Sequence, residues 1–318
     1  MIFMQKDKFW KKLFPNKYKN PWSVKLFIVC LLILPLTIFF VFTIYGNFGG
    51  LIQAFQADPN GTGTPEWVGW DNFKTFFDWD MMFGKDKVWN IIANSFGYLF
   101  VFMFISVPIS VVCSFFLYKK VPLSKAIVVI LFMPNILPLS ILAIYYNRLL
   151  ATEGGVLAQA LSFLLGTEFD WFTHGNLALY IYTVYFGFGY NAILIWGAMT
   201  RIPEEIVESA NLDGANLFVE FWNITIPIIW PTMSMVLVLS WMVPFTVFNQ
   251  PLMIAGETGN PNGSKGTITW SLYVMDIIKN RQNPYLGSAL SILATLISLP
   301  STLLIQKALE KVFPMVEV

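Results

Sequence analysis

Six stretches of this chain are long and apolar enough to cross a bilayer, and no other feature constrains the fold as tightly. About 20 predominantly apolar residues cover the hydrocarbon core. Runs at roughly 24–45, 90–118, 124–149, 176–199, 228–252 and 284–306 meet that requirement. Backbone N–H and C=O groups in hydrocarbon must be bonded within the protein, so runs of this length are expected to be helices. The composition agrees: 56% hydrophobic residues, 12% charged residues and a mean hydropathy of +0.61 exclude a soluble domain of 318 residues. The expected class is an all-α integral membrane protein. Its six-helix domain spans 24–306, after a basic aromatic segment at 1–23 and before a short tail at 307–318.

An even number of spans puts both chain ends on one side. Of the 20 Lys and Arg, that side would hold thirteen: Lys6, Lys8, Lys11, Lys12, Lys17, Lys19, Lys25, Lys119, Lys120, Lys125, Arg201, Lys307 and Lys311. The positive-inside rule therefore predicts cytoplasmic termini for a multi-pass membrane protein. Segment 1–23 interleaves its lysines with Phe9, Trp10, Phe14 and Trp22 and reads equally as a membrane-surface segment or a solvated tail. The apolar run after it exceeds the about 7–15 residues of a signal-peptide core, so it is expected to be retained. A net charge of +1 with no basic patch argues against nucleic acid. Cys30 and Cys113 lie inside apolar runs and read as small hydrophobes. The one histidine, His174, lacks the neighbours a metal site needs and reads as a solvated loop residue.

The most polar loop between apolar runs is 200–227. Pro203 suits the first turn of a helix, and Glu204 and Glu205 follow where the positive end of the helix dipole favours acids. Ile206, Ala210, Gly214, Leu217 and Phe221 recur at helical spacing and make a thin apolar face, with Glu208 and Asp213 off it. Glycine inside a helix costs about 0.8–1 kcal/mol relative to alanine, so Gly214 is expected to mark a sharp turn or a close backbone approach. Pro227 and Pro231 are expected to end the loop and begin a new span.

At these residues the chain resembles the permease subunits of binding-protein-dependent ABC importers. Their motif is Glu-Ala-Ala, three residues, Gly, nine residues, then Ile-x-Leu-Pro. Here it reads Glu208-Ser209-Ala210, Gly214, Ile224-Thr225-Ile226-Pro227, and the flanks look most like the carbohydrate-uptake branch, the maltose and multiple-sugar type I importers. The stretch Val68-Gly69-Trp70-Asp71-Asn72-Phe73 and the entry Gly287-Ser288-Ala289 to the last span resemble looser family features. The resemblance implies the six-transmembrane-helix type I importer permease fold. It also implies that Glu204, Glu205, Glu208, Ser209, Ala210, Asp213, Gly214, Ala215, Ile224 and Pro227 form a coupling loop seated on a partner ATPase. The chain has no phosphate loop, so no catalytic site or cofactor is expected in it, and ATP and Mg belong to a separate ATPase dimer. The other implied partners are a second homologous permease subunit making a heterodimer, an extracellular or periplasmic solute-binding protein, a sugar substrate and membrane lipid.

Polar residues inside spans are expected to face the bundle or a cavity. Asn94, Asn135, Tyr190, Asn191, Trp196, Trp241, Asn249 and Gln250 are candidates for a substrate pathway, because aromatic faces and amides suit a sugar; equally, the aromatics could be packing and interface residues and the amides ties between helices. Pro134 and Pro138, four apart in the third span, predict a kinked, pore-facing helix. The competing classes are a permease for another solute such as a polyol phosphate, an intramembrane metalloprotease and a non-transporting scaffold. The protease would need His174 and Glu204-Glu205 to share a metal, and the topology puts them on opposite sides.

Overall fold

The long apolar runs become long helices in the computed structural model, which describes residues 21–59, 61, 63–84, 88–151, 154–166, 177–255 and 268–313. In chain order the elements are α1 (Val24–Gln53), a two-residue antiparallel hairpin β1 (Gln56–Ala57) and β2 (Glu66–Trp67), α2 (Asp71–Phe76), α3 (Trp79–Phe83) and α4 (Val88–Tyr118). Next come α5 (Ser124–Ile136), α6 (Leu139–Leu150), α7 (Val156–Leu165), α8 (Leu177–Met199), α9 (Glu204–Leu212) and α10 (Leu217–Trp241). The last four are α11 (Val243–Thr246), α12 (Asn249–Ala255), α13 (Trp270–Lys279) and α14 (Pro284–Glu310). Among the described residues five helices, α1, α4, α8, α10 and α14, can each cross a membrane, and α5 with α6 makes a sixth, broken span.

The break is the kink expected from the two prolines. Pro134 lies inside α5, Pro138 caps α6, and the halves meet at 103°. The fifth span departs from expectation. It begins at Leu217 rather than near 228 and runs through Pro227 and Pro231 without stopping. A proline lacks the N–H that would bond the carbonyl four residues back, and its ring crowds that carbonyl. Here Phe221–Thr225 forms a wider π turn, in which the Ile226 N–H reaches Phe221 O, and the helix continues past the proline. The same device, Phe102–Ser106 followed by Pro108, carries α4 through its proline. After Trp241 the chain turns through α11 and α12 instead of extending to 252.

Residues along α4 organise three levels of core. At one end Val88 and Ile91 pack with Leu272, Tyr273 and Ile277 of α13 and Leu290 of α14. In the middle Tyr98 joins Ala143, Tyr146, Leu179 and Tyr182. At the other end Val107, Val111 and Phe115 meet Ile195, Met199, Ile202, Ile226 and Ile229. Helix α13 falls in a stretch that reads as loop in the sequence. It is held there by polar bonds: Ser95 Oγ accepts from the Trp270 N–H at 2.8 Å, Thr269 donates to Val247 O at 2.8 Å, and Ser271 donates to Phe245 O at 2.7 Å. Among the described residues the first span packs on α14 through its last turns, and most of its other side chains are exposed.

The pairing of α4 with α8 uses small residues. Ser106, Ser110 and Ser114 repeat every four positions and are fully buried. Ser110 Oγ lies 3.0 Å from Phe188 O, and Ser114 Oγ lies 2.6 Å from Ala192 O across the interface. A hydroxyl bond between membrane helices contributes about 0.6 kcal/mol on average. Ser110→Ala with Ser114→Ala is therefore expected to lower the thermal midpoint of the solubilised protein by a few degrees while leaving it folded. An unchanged melting curve would show the two bonds to be energetically idle.

Candidate functional site

The polar loop folds into the short helix α9 with an exposed acidic face. Pro203 takes the N-cap (φ −60°, ψ 133°), one position earlier than the sequence suggests, so Glu204 and Glu205 occupy the first turn. Glu204, Glu205, Glu208, Ser209 and Asp213 are all exposed; Ile206, Val207, Ala210 and Ala215 are half-buried. Val207 anchors the inner face on the core cluster of Phe115, Ile202 and Ile226.

The helix ends as its glycine requires. Gly214 has φ +84°, the left-handed region that side chains disfavour. Its N–H donates to Asn211 O at 3.1 Å and the next N–H, of Ala215, donates back to Ala210 O at 2.9 Å. These paired bonds are a Schellman cap, and they satisfy carbonyls that the helix end would leave open. Asn216 then starts α10, its side chain accepting the Val219 N–H at 2.9 Å. Around this turn Leu212 is 88% exposed, and Leu217, Phe218 and Trp222 are also exposed, so an apolar rim borders the acidic helix. Ile224 and Pro227 are not on this surface. They lie within α10, half-buried, where they shape its π turn.

Two adjacent lysines after α4 meet both ends of the segment. Lys119 Nζ is 2.5 Å from the Glu220 carboxylate, and Lys120 Nζ is 3.8 Å from Glu204. Glu220 is 1% exposed, whereas the Lys120–Glu204 pair is open to solvent. Sequence reasoning missed Glu220, because its partner lies 101 residues away and no periodicity links them.

The eight pathway candidates do not gather in one place. Tyr190 is 51% exposed and Asn135, on the broken span, is open; Asn191 is 4% exposed, with its amide nitrogen unpartnered inside the bundle. Asn135 and α8 are close, the Asn135 amide nitrogen lying 3.3 Å from the Cβ position of Gly189. Asn94, Trp196 and Gln250 are half-buried and Asn249 is exposed. Trp241 is a tie between helices, its indole N–H donating to Ser301 Oγ at 3.0 Å. A cavity of about 570 Å³ lies elsewhere, between α11, α13 and α14, lined by Phe245, Ser271, Ser291, Thr295, Ser298 and Thr302 among others. His174 lies outside the described residues, and no metal-ligating cluster occurs among those described.

Residues 81–312 match the family described as binding-protein-dependent transport system inner membrane component. The chain is 28% identical over 247 residues to the probable ABC transporter permease protein YesP of Bacillus subtilis, covering 74% of this chain and 75% of that one. It is 24% identical to the sulfoquinovosyl glycerol transport system permease protein SmoG of Agrobacterium fabrum, over 75% of each. With the maltose/maltodextrin transport system permease protein MalF of Escherichia coli the identity is 26%, over 63% of this chain but only 40% of the longer MalF. In fold it is similar to a chain of a bacterial ABC transporter involved in the import of the acidic polysaccharide alginate. That match has a TM-score of 0.77 at 19% identity and covers 91% of this chain and 98% of the other.

Proposed function

Because the chain belongs to the family of binding-protein-dependent transport system inner membrane components, we propose that it is the permease subunit of an ATP-driven importer for a sugar or oligosaccharide. The observation that carries this reading is α9: an exposed acidic helix, closed by a left-handed Gly214, at the motif spacing of importer permeases. Glu204, Glu205, Glu208 and Asp213 would face basic residues of a cytoplasmic ATPase, and the rim of Leu212 and Phe218 would enter its cleft. The loop and both chain ends then lie in the cytoplasm, as the lysine distribution implies. A second homologous permease completes the passage, and an external binding protein delivers the solute. The relatives named for maltodextrin and sulfoquinovosyl glycerol support a carbohydrate. ATPase closure would push α9, and the bundle would expose its passage alternately to the two sides.

Uptake into vesicles tests the reading. Reconstituted vesicles carrying this chain and its co-purified subunits, with ATP enclosed and the binding protein outside, should accumulate a labelled oligosaccharide only when both are present. Accumulation without ATP, or none with any carbohydrate offered, would overturn it. Of the pathway candidates, Tyr190, Asn191, Asn249 and Gln250 are assigned to the solute. Each lost hydrogen bond is worth about 0.5–1.5 kcal/mol, so replacing all four by Ala is expected to lower uptake roughly tenfold or more at normal abundance. Unchanged uptake would remove these residues from the path.

A further inference from the structure

The lysine corner after α4 grips the acidic segment at both ends. Lys119 follows the C-terminus of α4, where the helix dipole favours a cation, and Glu220 lies in the first turn of α10, where it favours an anion. The Lys119 ammonium sits 5.7 Å from the ring centres of both Phe115 and Tyr118, and its side chain is 24% exposed. The Glu220 carboxylate has lost nearly all its water. A buried ion pair of this kind is weak evidence for stability, since apolar replacements of similar volume often fold as well; its attested use is to fix one register between elements. Lys120, with φ +53°, reaches Glu204 at the opposite end of the same segment. That exposed pair adds little by itself, so the fixed point is Lys119–Glu220.

Resting on the importer reading, we propose that Lys119 and Glu220 are positioning residues for coupling: they lock the foot of α10 to the end of α4, so that a push on α9 moves both helices together. Without the lock the push has an outlet. Only the Gly214 turn and the cap at Asn216 separate α9 from Glu220, and the π turn at Phe221–Thr225 follows it directly. A displacement of α9 could then be absorbed by these elements before it reached the bundle.

Spin labels at Asn211→Cys on α9 and Phe116→Cys on α4, both exposed positions, measure this directly after Cys30 and Cys113 are changed to Ser. The labelled chain is purified with its own subunits, and distances are compared without nucleotide and after trapping with MgATP and vanadate. The lock predicts the same 211–116 distance in both states. With Glu220→Gln, trapping should change that distance by more than about 2 Å, the scale of an interface helix shift. The double variant Lys119→Met with Glu220→Met, which leaves no unpaired charge, should behave like Glu220→Gln and guards against simple misfolding. Distances in both variants that stay fixed on trapping would overturn the lock alone. A complex of the unlabelled, otherwise unaltered chain that neither hydrolyses ATP nor traps vanadate would instead overturn the importer reading, and the lock with it.

Discussion

Replacing Gly214 by Asp is expected to leave the chain folded in its membrane and to abolish ATP-driven uptake. At φ +84° a residue with a side chain costs about 1–2 kcal/mol, and Asp is among the side chains that tolerate the region best. Among the described residues, no atom beyond the adjoining residues lies within 4 Å of the position a Cβ would take, so the backbone cost is not compounded by a clash. The cost is small against a typical 5–15 kcal/mol of stability. The added carboxylate, however, sits on the surface proposed to be buried against the ATPase, beside Asp213 and an already acidic helix. An unpaired charge in a closed interface costs about 3–5 kcal/mol, which corresponds to at least about a hundredfold loss of productive docking. Membrane abundance, co-purified permease and uptake should be measured together. Normal uptake at normal abundance would remove α9 from coupling.

Gly189→Val should fail earlier, in the fold itself. A Cβ there would lie 2.2 Å from Leu131 O, a backbone atom of α5 that no rotamer change can move. Helices α5 and α8 would have to separate at the broken span. Overpacking typically costs about 1–3 kcal/mol, and an immovable carbonyl puts this case at the upper end. The expected result is a thermal midpoint lowered by roughly 5 °C or more, or loss of the protein from the membrane; Gly189→Ala should show the same effect more weakly. A Val variant that melts like the parent would contradict the close approach.

The two glycines mark how far the sequence could be read. Gly214 was legible as a turn because it interrupts a helical pattern at a fixed distance from Glu208, and that distance also carried the family resemblance. The close approach of Gly189 to α5 was not legible, since the carbonyl it meets belongs to another helix. The six spans were legible because hydrocarbon demands long apolar runs; the kink was legible because Pro134 and Pro138 each remove a donor. The start of the fifth span was not. Asn216, Glu220 and Asn223 make its first turns polar, and Pro227 reads as a stop unless the π turn at Phe221–Thr225 is known. Helix α13 was hidden for a similar reason. Ten residues are too few to announce a span, and the bonds that hold it come from Ser95 and from the carbonyls of Phe245 and Val247. Trp241, chosen for its aromatic face, proved to be occupied by Ser301 of α14, a contact between spans that spacing along the chain does not encode.

The most direct test of the whole account is to tag this chain in its own host, extract the membrane gently, and identify what purifies with it by mass spectrometry. A homologous six-helix permease and an ABC ATPase is the predicted result, with the permease retained and substrate-stimulated ATP hydrolysis lost in the Gly214→Asp variant. Recovery of the chain alone across several mild detergents would contradict it.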